Sequence, residues 1–333
     1  MRGFSSWVAA VLKSRLLPDP FILMLCATLG LATLLPASGR MAVAVDWLAT
    51  VTIVALFFFH GAKLSRAAVY AGLLHWRLHL LILAFTFAIF PLLGLLFSQL
   101  LPGLLSPVLW TGMLYLVALP STVQSSIAFV SIAKGNVPAA IAAASASQVL
   151  GVFLTPFLVG LLAGAQGGEV QLAGIGKVAG VILVPFIAGH LLRPWIAGFV
   201  TRYKATISLT DRATILIAVY SAFSAAVIEG IWGRLPLAEL GLLLLLCCIL
   251  LVLLLVLSTQ VARRLGLPRE DEITLVFCGT KKSLVQGVPM ARILFAGPDL
   301  GLILLPIMIF HQVQLMVCAW LARRYADSAP QDA

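Results

Sequence analysis

Long apolar runs alternate with short polar ones along the whole chain. The runs cover 20–36, 45–62, 78–99, 108–133, 137–163, 173–192, 209–231, 236–258, 272–295 and 299–321. About 20 such residues suffice to cross a hydrocarbon core roughly 30 Å thick, so the pattern predicts ten transmembrane helices joined by short loops. Ahead of them, residues 3–17 place Phe4, Trp7, Val8, Val11 and Leu12 on one helical face, with Ser5, Ser6, Lys13 and Ser14 mostly elsewhere. That spacing predicts a helix lying in the membrane interface. A signal peptide is disfavoured, because no apolar run precedes Pro18-Asp19-Pro20. Residues 326–333 read as a disordered tail.

Two of the runs are interrupted by polar residues where hydrocarbon should surround them. Phe277–Ala291 reads FCGTKKSLVQGVPMA, with Thr280, Lys281, Lys282, Ser283 and Gln286 in mid-span and Gly279, Gly287 and Pro289 as expected helix breaks. At about 1.5 Å per residue, Lys281 lies roughly 13–14 Å past Glu272, near the bilayer midplane. An unsatisfied charge there costs several kcal/mol. The fourth span gathers Ser121, Thr122, Gln124, Ser125 and Ser126 behind Pro120, a residue that removes a backbone donor and frees a carbonyl. Laid 158 residues apart, the two stretches match Thr122 with Thr280, Ser125 with Ser283, Val130 with Val288 and Ala133 with Ala291. Ser147-Gln148-Val149 of the fifth span is likewise answered by His311-Gln312-Val313 of the tenth.

Five spans per half is an odd number, so the halves run in opposite directions. The expectation is an all-α integral membrane fold of two inverted five-helix repeats, 1–165 and 166–325, with discontinuous fourth and ninth helices meeting at one site. The polar centre would draw on Thr86 in the third span, Thr122, Gln124, Ser125 and Ser126, then Ser145, Ser147 and Gln148. From the second half it would draw on Thr280, Lys281, Lys282, Ser283, Gln286, His311 and Gln312. Blander readings exist for several of these. A Ser/Thr-rich helix also serves as a packing face, His311 can simply bridge two helices, and a lysine can pair with Glu229 or with carbonyls at the break.

Composition narrows the classes. At 62% hydrophobic and 10% charged, the chain is no soluble globular domain. The net charge of +10 is scattered between apolar runs and forms no stripe, so nucleic acid is excluded as a partner. The five cysteines lie in apolar runs without metal or disulfide spacing and read as packing residues. With the N-terminus inside, sixteen Lys and Arg fall on the inner side and four on the outer. The positive-inside rule thus sets both termini in the cytoplasm of a multi-pass inner (plasma) membrane protein. No HExxH, GxSxG or P-loop is present, and Ser147 with His311 lacks an acid to orient the imidazole, so an enzyme is not expected.

The runs FFFHGAKLS (57–65), LPSTVQSSIAFVSIAKGNVPAAIAAASASQVLGVFLTP (119–156), VYSAFS (219–224) and FCGTKKSLVQGVPMA (277–291) resemble the bile acid:sodium symporter superfamily. The likeness is to its sodium-bile acid symporter-like branch, which includes the solute carrier family 10 member 7 proteins. The resemblance implies a core of spans 3–5 and 8–10 against a panel of spans 1, 2, 6 and 7, with the fourth and ninth helices crossing where they unwind. It also implies sodium-coupled uptake of a small organic anion by alternating access. Its sodium ligands do not carry over cleanly. The Ser-Asn pair of the fourth span falls on Ser125 and Ser126, where a sodium ion would be sought, and the glutamine of the third span falls on Thr86. The fifth-span ligands fall on or beside Ala140 and Ala144, near Ser145 and Ser147. In the ninth span the glutamate falls on Phe277, and the glutamine and asparagine fall on Lys281 and Lys282. Two readings follow. Either a lysine ammonium stands in permanently for sodium, making transport cation-independent or proton-coupled, or the lysines pair with the anionic substrate. A non-transporting regulatory membrane protein of the same fold is the alternative from another class. No cofactor beyond a coupling sodium ion or proton is expected.

Overall fold

The computed structural model describes residues 20–63, 75–164, 179–295, 297 and 299–328. The interfacial helix expected at 3–17 lies outside the described residues. Every regular element described is helical, an arrangement that satisfies backbone groups within each segment where no water can. The longer ones in chain order are α1 (Pro20–Leu34), α2 (Gly39–Lys63), α3 (Trp76–Leu100), α4 (Pro107–Ala118), α5 (Gln124–Ile132) and α6 (Val137–Gly164). Then follow α7 (Val184–Arg202), α8 (Lys204–Ile228), α9 (Leu237–Arg264), α10 (Arg269–Gly279), α11 (Leu284–Leu294) and α12 (Leu300–Asp327). Among the described residues seven helices are long and apolar enough to cross a membrane, and Leu23–Leu34 and Pro107–Ala118 are shorter apolar ones. The last helix continues to Asp327, into the stretch expected to be a disordered tail.

Packing sorts the helices into two groups. α7 lies along α2, and α8 packs on α1 and α2. The α2–α7 contact is backbone to backbone. A Cβ on Gly61 would sit 1.9 Å from the Phe186 carbonyl oxygen, and one on Gly189 would sit 1.9 Å from that of Phe58. Small residues let membrane helices approach this closely and so replace the hydrophobic drive that lipid removes. In the other group α4 packs on α12, α6 and α3, α5 packs on α6, α10 and α12, and α9 flanks α10 and α12. α8 also reaches α11 and α12, joining the groups.

The third span carries an irregularity that its hydropathy does not announce, a π turn at Phe85–Ile89. There the Phe90 N–H bonds to the Phe85 carbonyl. The next N–H in that register belongs to residue 91, a proline that has none, so the Thr86 carbonyl is left without a partner inside its own helix. The interruption in the ninth span is shorter than expected. Gly287 and Pro289 lie inside α11, whose first turn is capped by the Ser283 hydroxyl accepting from the Gln286 N–H. Gly287 is a packing glycine: a Cβ there would lie 2.3 Å from Ile307 and 2.8 Å from Leu119. Pro289 removes one internal bond and the helix absorbs the loss.

Candidate functional site

A helix that stops inside a membrane leaves its last carbonyls without donors and its next segment's first N–H groups without acceptors. The chain between α4 and α5, and that between α10 and α11, solve this by satisfying each other. The Leu116 carbonyl takes the Leu119 N–H, and that of Ala118 takes the Thr155 hydroxyl at 2.9 Å. The Pro120 carbonyl accepts the Ser283 N–H of the second break at 2.9 Å. In return the Ser121 hydroxyl donates to the Cys278 carbonyl at 2.6 Å. Side chains of α6 brace the crossing. Ser147 Oγ accepts from the Ser121 N–H at 3.0 Å, and Gln148 Nε2 donates to both the Ser121 carbonyl (3.1 Å) and Ser283 Oγ (3.2 Å).

The carbonyls still unpaired go to a charge. Lys282 Nζ donates to those of Thr86 (2.8 Å), Val117 (2.8 Å) and Leu119 (2.6 Å), and lies 4.1 Å from the centroid of the Phe90 ring. The ammonium therefore fills three backbone acceptors at the negative end of α4 and at the π turn of α3. Charge-assisted hydrogen bonds contribute about 1.5–3 kcal/mol each, and a desolvated cation–π contact about 2 kcal/mol. Together these offset the several kcal/mol of desolvation. Lys282's own backbone is bracketed from α12, where Gln314 Oε1 accepts its N–H and Gln314 Nε2 donates to its carbonyl, both at 3.0 Å. His311 Nδ1 lies 2.9 Å from Gln314 Nε2 and 3.4 Å from the Lys282 carbonyl. Gln314 was not among the expected site residues, although its i+3 spacing from His311 marks the shared helix face.

Lys281 is equally buried but differently held. Its Nζ has no hydrogen-bond partner among the described residues and rests 3.7 Å from the centroid of the Phe129 ring. Both lysines are fully buried, and neither lines the cavity beside the crossing.

A cavity of about 890 Å³ opens beside the crossing, between the two helix groups. The broken helices and α6 supply one wall, with Thr122, Gln124, Ser125, Ser145, Gln148, Ser283 and Gln286, and α12 adds His311. The facing wall comes from α1, α2, α7 and α8 and carries His60, Lys63, Ser208, Asp211 and Arg212 among apolar side chains. Within the first wall Thr122 and Ser125 share a hydrogen bond of 2.7 Å, and Gln286 Nε2 donates to the Gln148 carbonyl. Gln124 Nε2 reaches across to Ser208 Oγ at 3.2 Å.

The remaining expected residues do not line this cavity. Thr86 contributes its carbonyl, while its hydroxyl turns back to Ile82. The Thr280 hydroxyl likewise bonds to the Val276 carbonyl. Ser126 Oγ and Gln312 Oε1 are buried without a partner among the described residues. Ser147 acts on the backbone of the crossing. Pro120 and Gly279 stand at the edges of the breaks. Lys63, Asp211 and Arg212 were missed because charges near span ends read as interface residues.

A multi-pass helical membrane protein with two helix interruptions that satisfy each other's backbone beside a largely apolar cavity dotted with polar groups has the build of a solute transporter. The chain belongs to the SBF-like CPA transporter family, which matches residues 19–327. It is a family of transporters and not of enzymes. The chain is 56% identical over 315 residues to "Uncharacterized protein PA2026" of Pseudomonas aeruginosa (94% of this chain, 95% of that protein). It is 50% identical over 313 residues to "Putative symporter YfeH" of Escherichia coli K12 (94% of each). Over 320 residues it is 28% identical to "Sodium/bile acid cotransporter 7" of Rattus norvegicus (92% of each).

Proposed function

We propose that the protein is a secondary transporter that carries a small amphipathic organic anion across the inner membrane by alternating access. The observation that carries this reading is the cavity, with hydroxyl and amide groups of the crossing on one side and the cationic Lys63 and Arg212 opposite. In this reading the described helices make ten crossings in two inverted repeats, with α4–α5 and α10–α11 as the paired discontinuous spans. The sides that move against each other are α1, α2, α7 and α8 on the one hand and the remaining helices on the other. The charge bias of the loops supports both termini in the cytoplasm, and the cavity mouth at Lys63 and Arg212 then faces inward.

Sodium is not the coupling ion in this account. The wall that carries Ser125 holds no carboxylate of its own among the described residues, and the backbone oxygens that could complete an ion site are taken by the Lys282 ammonium. Hard cations need several oxygen ligands, and this crossing leaves too few. Lys282 acts as a permanent, tethered cation. It does not meet the solute, because it is sealed beneath Phe90 and the backbone of the crossing. Uptake of naphthalenesulfonate into proteoliposomes tests this reading. Saturable uptake unaffected by imposing or removing a sodium gradient is expected, and strict dependence on sodium, or no uptake above protein-free vesicles, contradicts it.

A further inference from the structure

We infer that Lys63 and Asp211 form a switchable anion–proton site in the cavity wall, Lys63 taking the anionic group of the solute as Asp211 takes a proton. The inference rests on the cavity being the solute path. Lys63 Nζ lies 2.9 Å from Asp211 Oδ2, and His60 Nε2 lies 3.8 Å from the same oxygen. The other carboxylate oxygen, Oδ1, is buried and has no hydrogen-bond partner among the described residues. Asp211 is the sole acid among the described residues lining the cavity. The other titratable or charged groups among the described lining residues are His60 and Lys63 from α2, which contact it, its neighbour Arg212 on α8, and His311 of α12 on the opposite wall. Arg212 itself stacks 5.9 Å from the centroid of Phe21 on α1.

An incoming anion must compete with Asp211 for Lys63. With the carboxylate ionised, two negative groups would share one ammonium inside a low-dielectric wall, which is strongly unfavourable. One proton transferred from water to a carboxylate oxygen of Asp211 removes the conflict. Lys63 is then free for the solute, and the loaded site returns to its original net charge. On the far side the solute leaves, Lys63 pairs again with Asp211, and the proton is released to water. The cargo is therefore one anion with one proton, and nothing is oxidised or reduced. The sealed Lys282 has no part in this step.

Naphthalenesulfonate stays ionised at all accessible pH, so any pH dependence of its binding belongs to the protein. Calorimetric titration of the full-length protein in detergent is expected to show tighter binding at about pH 6 than at about pH 8. The affinity should fall by up to about tenfold per pH unit, as uptake of one proton requires. Asp211→Asn should bind equally well at both values. Lys63→Gln should bind at least about tenfold more weakly at both, and Lys63→Arg should restore binding. His60→Gln should keep the pH dependence. Its loss there would assign the proton to the imidazole and overturn the role of Asp211. pH-independent binding by the wild type, or undiminished binding by Lys63→Gln, overturns this inference alone. No binding by the wild type at either pH overturns it together with the organic-anion reading.

Discussion

The Lys282 ammonium lies 2.6 Å from the carbonyl oxygen of Leu119, so a charge from one broken span caps the end of the helix in the other. The same group closes the π turn of α3 through Thr86. Three segments distant in sequence are thus fastened at one point.

Lys282→Met keeps the side-chain bulk but leaves the carbonyls of Thr86, Val117 and Leu119 without donors. Each orphaned buried carbonyl costs about 1–3 kcal/mol, so a loss of at least about 3 kcal/mol is expected. Thermal unfolding in detergent measures it, and an unchanged melting temperature would show that the ammonium does not hold the crossing.

Lys281→Met is expected to behave differently, because the Lys281 ammonium has no hydrogen-bond partner among the described residues and rests on the Phe129 ring. Replacing a poorly paired buried charge with an apolar isostere is often neutral or stabilising. The melting temperature of this variant should equal or exceed that of the wild type. A drop as large as that of Lys282→Met would reveal a partner for Lys281 that the geometry does not contain.

Gln314→Leu removes both hydrogen bonds that bracket the backbone of Lys282. A destabilisation of about 2–4 kcal/mol is expected, while Gln312→Leu, whose amide oxygen is buried unpartnered, should cost less. Parallel melting curves decide the order, and the reverse order would contradict the assignment of Gln314 as the brace.

Arg292 at the end of α11 pairs with Asp46 of α2, which also accepts the Ser221 hydroxyl of α8 at 2.9 Å. This contact ties the two helix groups together away from the cavity lining. Asp46→Asn should loosen it and speed the labelling of a cysteine placed at the buried Ser224 on α8 by a membrane-impermeant thiol reagent. An unchanged labelling rate would mean that the pair does not hold that face closed.

Much of this was legible in the sequence, for physical reasons that differ by residue. Helix positions followed from hydropathy, since lipid demands apolar surface and internal backbone bonding. Pro120 and the Gly279–Ser283 stretch stood out because polar residues in mid-membrane need partners. Gly287 and Pro289 misled: a glycine that packs against Leu119 and Ile307 looks, in sequence, like a glycine that turns the chain. The different fates of Lys281 and Lys282 could not be read, because adjacent residues leave a chain break in directions only the three-dimensional crossing decides. Lys63 and Asp211 were hidden for another reason. Each looks like an ordinary charge at a span end until α2 and α8 bring them together.

The most direct test of the account is naphthalenesulfonate uptake by proteoliposomes carrying Lys282→Ala, with and without methylammonium. The variant should lose uptake, and methylammonium, entering the vacated cage of three carbonyls, should restore part of it while leaving the wild type unchanged. Undiminished uptake by Lys282→Ala without any added cation would contradict the claim that a tethered ammonium holds the crossing together.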